Sequence, residues 1–125
     1  MTREDYYGAG NVGTHSNWND AASTTATNLT TKKTRLLSID AHNKGAANAF
    51  LRLYDKATTP SPGSDLPRVT YMLAPGGGKV IEKNMALEFA SGFGYAITGG
   101  AGDTDATNIA NGAEVVVNFQ HYDKF

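Results

Sequence analysis

Ala113-Glu114-Val115-Val116-Val117-Asn118-Phe119-Gln120-His121-Tyr122 decides how this chain is read. Val115, Val117, Phe119 and His121 share one face, and the residues between them share the other. Alternation with a period of two is what a half-buried strand imposes, because successive side chains point to opposite faces of a sheet. The same pattern recurs upstream. In Gly92 to Thr98, Phe93, Tyr95 and Ile97 alternate with the small residues Gly94 and Ala96. In Ala47 to Tyr54, Ala49, Leu51 and Leu53 alternate with Phe50, Arg52 and Tyr54. In Arg35 to His42, Leu37, Ile39 and Ala41 are expected on one face and Ser38, Asp40 and His42 on the other. Arg68 to Leu73, Lys79 to Glu82 and Ala86 to Phe89 complete a set of about seven short strands.

Between these strands lie the residues that turn a chain. Pro60, Pro62, Gly63 and Pro67 mark residues 58–67 as a loop, and Ala74-Pro75-Gly76-Gly77-Gly78 is a tight connection. Residues 99–112 form a polar loop. No window carries a helix of three turns. The expected fold class is therefore all-β: an antiparallel β-sandwich, jelly-roll or immunoglobulin-like, of about seven to eight strands. Its core is expected to hold Leu51, Leu53, Val69, Ile97, Val115 and Val117 between two sheets.

Composition agrees. The chain has 125 residues, 40% of them hydrophobic and only 18% charged, with 14 glycines. That length favours one domain. The formal net charge is -1, so the basic stripe that a phosphate backbone requires is missing and nucleic acid is not an expected partner. With no cysteine, disulfides and thiolate metal sites are excluded. No apolar run has signal-peptide or membrane-spanning length, so no membrane association and synthesis in the cytoplasm are expected.

Residues 1–31 differ from the rest. They are rich in Thr, Asn, Ala and Gly, and their few large apolar residues show neither helical nor strand periodicity. Such a segment buries too little surface to offset its ordering entropy. The expectation is a flexible arm over residues 1–31 joined to a sandwich domain over 32–125. Tyr6, Tyr7 and Trp18 would be its partner-binding anchors, since large rings bury most area per ordered residue.

Chemistry is sparse. Asp103-Thr104-Asp105-Ala106-Thr107-Asn108 has Asn108 where a calcium loop needs Gly, and strands rather than helices flank it. Gly76-Gly77-Gly78-Lys79 lacks the glycine spacing of a phosphate loop, and Val80 stands in place of Ser or Thr. His15, His42 and His121 are scattered without zinc-ligand spacing. Ser91 lacks the flanking glycine of a nucleophile elbow, with Phe89 in its place. No catalytic residue, metal ligand or cofactor site is expected, and the chain is read as a non-enzyme.

Two stretches carry a family resemblance. One is Asn48-Ala49-Phe50-Leu51-Arg52-Leu53-Tyr54-Asp55-Lys56-Ala57, with the Pro-rich loop ending at Asp65-Leu66-Pro67. The other runs from Leu87-Glu88-Phe89-Ala90-Ser91-Gly92-Phe93-Gly94-Tyr95-Ala96-Ile97-Thr98 through Asp103-Thr104-Asp105 to Val115-Val116-Val117-Asn118. Together they resemble the small β-sandwich structural domains of tailed-bacteriophage virions, of the capsid decoration or cement type. The resemblance spans about residues 34–122. Phe93 stands where those domains usually carry Leu. The resemblance implies a virion structural protein, made in the host cytoplasm, that stabilises the head from the capsid surface by binding the major capsid protein between capsomers. It also implies a homotrimer. A tail- or fibre-associated module that binds carbohydrate on the host surface is the alternative expectation.

Overall fold

The computed structural model describes residues 26–107 and 115–122, and 12–19 as backbone. Nine strands are placed among them: β1 (Val12–Asn19), β2 (Thr27–Asn28), β3 (Thr34–Asn43), β4 (Ala49–Asp55), β5 (Val69–Leu73), β6 (Gly78–Glu82), β7 (Leu87–Phe89), β8 (Phe93–Thr98) and β9 (Val115–Tyr122). They form two antiparallel sheets. The five-stranded sheet runs β1-β9-β3-β6, with β7 also on β3, and the four-stranded sheet runs β2-β8-β4-β5.

The topology is a chain-long hairpin rolled up. β1 pairs with β9, β2 with β8, β3 with β6 and β7, and β4 with β5. Rolling then sets β9 beside β3 and β8 beside β4. This is the double-sheet jelly roll, one of the two sandwich types expected from the sequence.

The core lies between the sheets. Leu36, Ile39, Ala41, Ala49, Leu51, Leu53, Leu73, Phe89, Phe93, Tyr95, Ile97, Val115, Val117 and Phe119 form one buried cluster. Five of the six residues expected there are fully buried, and Val69, on edge strand β5, packs against the cluster half-buried. Leu53→Ala is expected to cost about 2–5 kcal/mol, from lost transfer energy plus the cavity left behind. Urea titration of the variant against the parent measures it, and a cost within the surface range of about 0.5 kcal/mol would contradict this register.

Two sequence expectations change. The first concerns β3. Leu37 was expected on the inner face with Ile39 and Ala41, but Leu36 is the fully buried residue and Leu37 is half-buried. The register against β9 shifts between Leu36 and Ser38, a β-bulge with Leu37 as the extra residue. A bulge resets the alternation by one position, so Leu36 joins the inner face below it and Ile39 above it.

The second concerns the arm. Tyr6 and Tyr7 lie outside the described residues. Trp18, however, falls within β1, opposite Val116 of β9. Residues 27–30 also belong to the sandwich. Thr30 is 5% exposed, and its Oγ accepts the Phe93 N–H at 2.9 Å and lies 2.6 Å from Thr34 Oγ. Asn28 donates from Nδ2 to the carbonyls of Thr30 and Lys56. The sheets thus begin inside the 1–31 segment. Its strands hold by backbone ladders and side chain-to-backbone bonds, which leave no apolar periodicity to read.

The far end of the sandwich is closed by another polar residue. Asn43 is fully buried at the end of β3, and its amide donates to the carbonyls of Ala47 (2.8 Å) and Leu73 (2.9 Å). The Gly77 N–H reaches the Asn43 carbonyl at 2.8 Å. Two of the crossovers between the sheets, β3–β4 and β5–β6, are pinned there. Gly76 and Gly77 adopt φ of 75° and 103°, which only glycine takes without strain.

Candidate functional site

Sheet β2-β8-β4-β5 has an outer face covered by loops. All six residues of β8 are buried, although only Phe93, Tyr95 and Ile97 belong to the inner cluster. On β4, Arg52 and Tyr54 point outward yet are 0% and 1% exposed. Pro60, from the loop between β4 and β5, is buried close enough to Gly94 that a Cβ there would lie 2.9 Å from the ring. Arg52 donates from Nε to Thr98 Oγ at 2.9 Å and from Nη2 to the Gly100 carbonyl. It thereby ties the loop after β8 to the sheet.

Carboxylates fasten both loops. Asp65 accepts from Lys56 Nζ at 2.6 Å and from the Ser61 N–H at 2.8 Å. Asp105 accepts from the Thr107 hydroxyl at 2.7 Å, the Thr107 N–H at 3.0 Å and the Gly100 N–H at 3.1 Å. The Lys56 bond and the Thr107 hydroxyl, respectively, do most to hold the two carboxyls below their ordinary value of 3.8. Burial pushes the Tyr54 phenol up, against the opposing pull of Arg52. The Asp103–Asp105 segment is therefore a self-bonded loop, with Asp105 occupied internally.

The sign of the pH effect follows. A carboxyl whose folded pKa is depressed contributes stability above its unfolded value, and loses it as pH falls through the folded value. Loosening of residues 56–68 and 99–107 is expected below about pH 4. Amide hydrogen exchange at pH 3 against pH 6 measures it. Asp65→Asn, which cannot titrate, is expected to remove that pH dependence from the first loop alone.

The outer face of sheet β1-β9-β3-β6 is different. Ser38, Asp40 and His42 of β3 lie there with Val116, Asn118 and Gln120 of β9, all half-buried. His42 Nε2 sits 2.6 Å from Asp40 Oδ1. His121 is turned the other way, its ring 6.2 Å from that of Phe93, so His42 and His121 are not gathered. Among the described residues no group of three or more His, Cys, Asp or Glu is placed to hold a metal ion. No helix among them is long and apolar enough to cross a membrane.

This face carries a cleft of about 390 Å³ lined by Leu37, Ser38, Lys83, Asn84, Met85 and Gln120. The bulge in β3 forms one wall. The opposite wall is residues 83–85, where the edge strand breaks between β6 and β7. The Met85 N–H donates to the Leu37 carbonyl at 3.0 Å and fixes the two walls together.

No family model matches the chain, and no curated protein matches it either. The functional reading therefore rests on the geometry and on the resemblance above.

One edge completes that geometry. β5 is the last strand of its sheet and reads Val69-Thr70-Tyr71-Met72-Leu73. It holds no charge, proline, glycine or bulge, the devices that blunt sheet edges. Met72 is 59% exposed on it. Of the other edges, β2 has two residues, β6 contains Lys79 and Glu82, and β7 contains Glu88; β1, the remaining edge, is described as backbone alone. The rings of Tyr54, Phe89, Phe93, Tyr95 and Phe119 are fully buried and offer no interface. The signal that did mark the edge is a strand without charge between two proline-containing connections.

Proposed function

We propose that this chain is a non-enzymatic structural protein of a bacteriophage particle: a capsid decoration, or cement, protein. It sits on the capsid surface as a homotrimer and binds the major capsid protein between capsomers. The observation that carries this reading is the unprotected edge of β5, beside exposed Met72, on a jelly-roll sandwich whose opposite sheet begins with the strand containing Trp18. An edge of this kind is a template for pairing with another chain, and closed cyclic association removes the hazard. Many copies then multiply weak contacts over a lattice without any new contact type. The jelly roll is an architecture found in viral shells as well as in lectins, so it supports the reading without deciding it.

The test of location is cryo-electron microscopy of the particle. Hundreds of copies on the head at local three-fold positions are expected; a handful of copies on the tail would replace this reading with the host-surface one. For the edge, light scattering at micromolar concentration is expected to give a trimer. Thr70→Lys with Met72→Lys is expected to shift it to monomer with thermal stability unchanged within about 1 kcal/mol, as surface changes allow. A monomeric parent chain, or a trimer indifferent to both lysines, would refute the edge assignment.

A further inference from the structure

The cleft on the five-stranded sheet is built by three backbone irregularities. The β-bulge at Leu37 sets one wall. On the other edge of β3, pairing with β7 stops at Leu36 and pairing with β6 starts at Ile39, leaving residues 37 and 38 outside both ladders. Asn84, in that gap, holds φ at 57°, the one left-handed residue other than glycine among those described. Bulges re-aim side chains beside functional sites, and residues held in left-handed backbone cluster at ligand clamps.

The groups brought together are chemically coherent. Ser38 supplies a hydroxyl, and Asn84 and Gln120 supply amides, each amide offering donors beside an acceptor. Lys83 supplies an ammonium. None of these four side chains has a hydrogen bond or ion pair to another described residue, so each has polar capacity to offer a ligand. Leu37 and Met85, both half-buried, give the cleft an apolar surface. A volume of about 390 Å³ falls in the range of small-molecule sites.

We infer that this cleft binds a pyranose sugar bearing a carboxylate, a single acidic residue of a glycan. Vicinal hydroxyls match the paired donors and acceptors of Asn84 and Gln120. The apolar face of the ring lies on Leu37 and Met85, and the carboxylate meets Lys83. With no aromatic platform in the lining, a single site is weak, with Kd on the order of 1–10 mM. Repetition over an oligomer makes such a site effective. The cleft is on the sheet opposite β5, so the inference holds whether or not the chain decorates a capsid.

The test is a titration of the ¹⁵N-labelled full chain, followed by amide shifts, with methyl glucuronide, methyl glucoside and acetate. Saturable shifts centred on Leu37, Ser38, residues 83–85 and Gln120 are expected with the glucuronide, several-fold weaker ones with the glucoside, and none there with acetate. Lys83→Met keeps the alkyl stem and is expected to weaken the glucuronide at least five-fold while leaving the glucoside unchanged. Asn84→Gly keeps the left-handed turn without strain, so it is expected to retain or raise thermal stability while weakening both sugars at least three-fold. No shifts at about 50 mM, acetate reproducing the glucuronide pattern, or both variants binding as the parent would each overturn the assignment.

Discussion

Phe93→Ala is expected to lower the stability of the sandwich by about 3–5 kcal/mol, the largest loss that any single side chain here should cause. Phe93 is fully buried at the start of β8. Its ring lies 4.9 Å from Phe89 and meets Phe119 edge-on at 5.1 Å, and Phe119 continues the stack to Tyr95 at 5.2 Å. Phe93 therefore joins β7 and β9 of one sheet to β8 of the other. Truncation removes its transfer energy and its ring contacts together, and it leaves a cavity framed by rigid rings that collapse poorly. For a domain near 100 residues the melting temperature should fall by roughly 15–30 °C. Phe93→Leu keeps most of the volume and should cost clearly less. A thermal melt monitored by near-ultraviolet circular dichroism compares all three. Equal losses for Ala and Leu would show that ring geometry rather than volume matters at this position.

Arg52→Ala should produce the second large effect, on the order of 3 kcal/mol. A hydrogen bond from a charged donor contributes about 1.5–3 kcal/mol. Arg52 makes two, and their loss leaves the Thr98 hydroxyl and the Gly100 carbonyl with only the 3.3 Å bond between them beneath the covering loop. The damage should be local first. Residues 99–107 are expected to exchange amide hydrogens and to admit protease before the sheets unfold, because Arg52 is what fastens that loop to β4 and β8. Arg52→Met retains the alkyl stem and removes the buried charge, so it should recover part of the stability without restoring the loop protection. If the 99–107 loop were equally protected in the alanine variant, Asp105 and Thr107 alone would be holding it.

Arg52 also shows where pattern reading ends. Its alternation with Leu51 and Leu53 correctly assigns it to the outer face of β4. An outward Arg reads as solvated, yet it is fully buried, because two loops distant in sequence return over that face. Burial of an outer face depends on where loops land, and no local period records that. Leu36 and Leu37 make the same point at shorter range. Leu37 is in phase with Ile39 and Ala41, but pairing with β9 makes Leu37 the bulged residue and puts Leu36 in the core. The cleft follows from that bulge. Its lining comes from three separate segments, and Ser38, Asn84 and Gln120 have no spacing that marks them as a group.

From residue types and their period alone come the all-β class, the sandwich, the strands from Thr34 to Tyr122 and five residues of the core cluster. These are legible because burying one face of a sheet forces alternation on each strand separately. Tertiary structure decided the rest: the rolled pairing of β1 with β9 and β2 with β8, the sealed face over Arg52, the bare edge of β5 and the cleft beside Asn84. Each of these joins segments far apart in the chain through backbone ladders or single polar contacts. Such contacts depend on which strands become neighbours, a choice that the alternation within one strand does not encode.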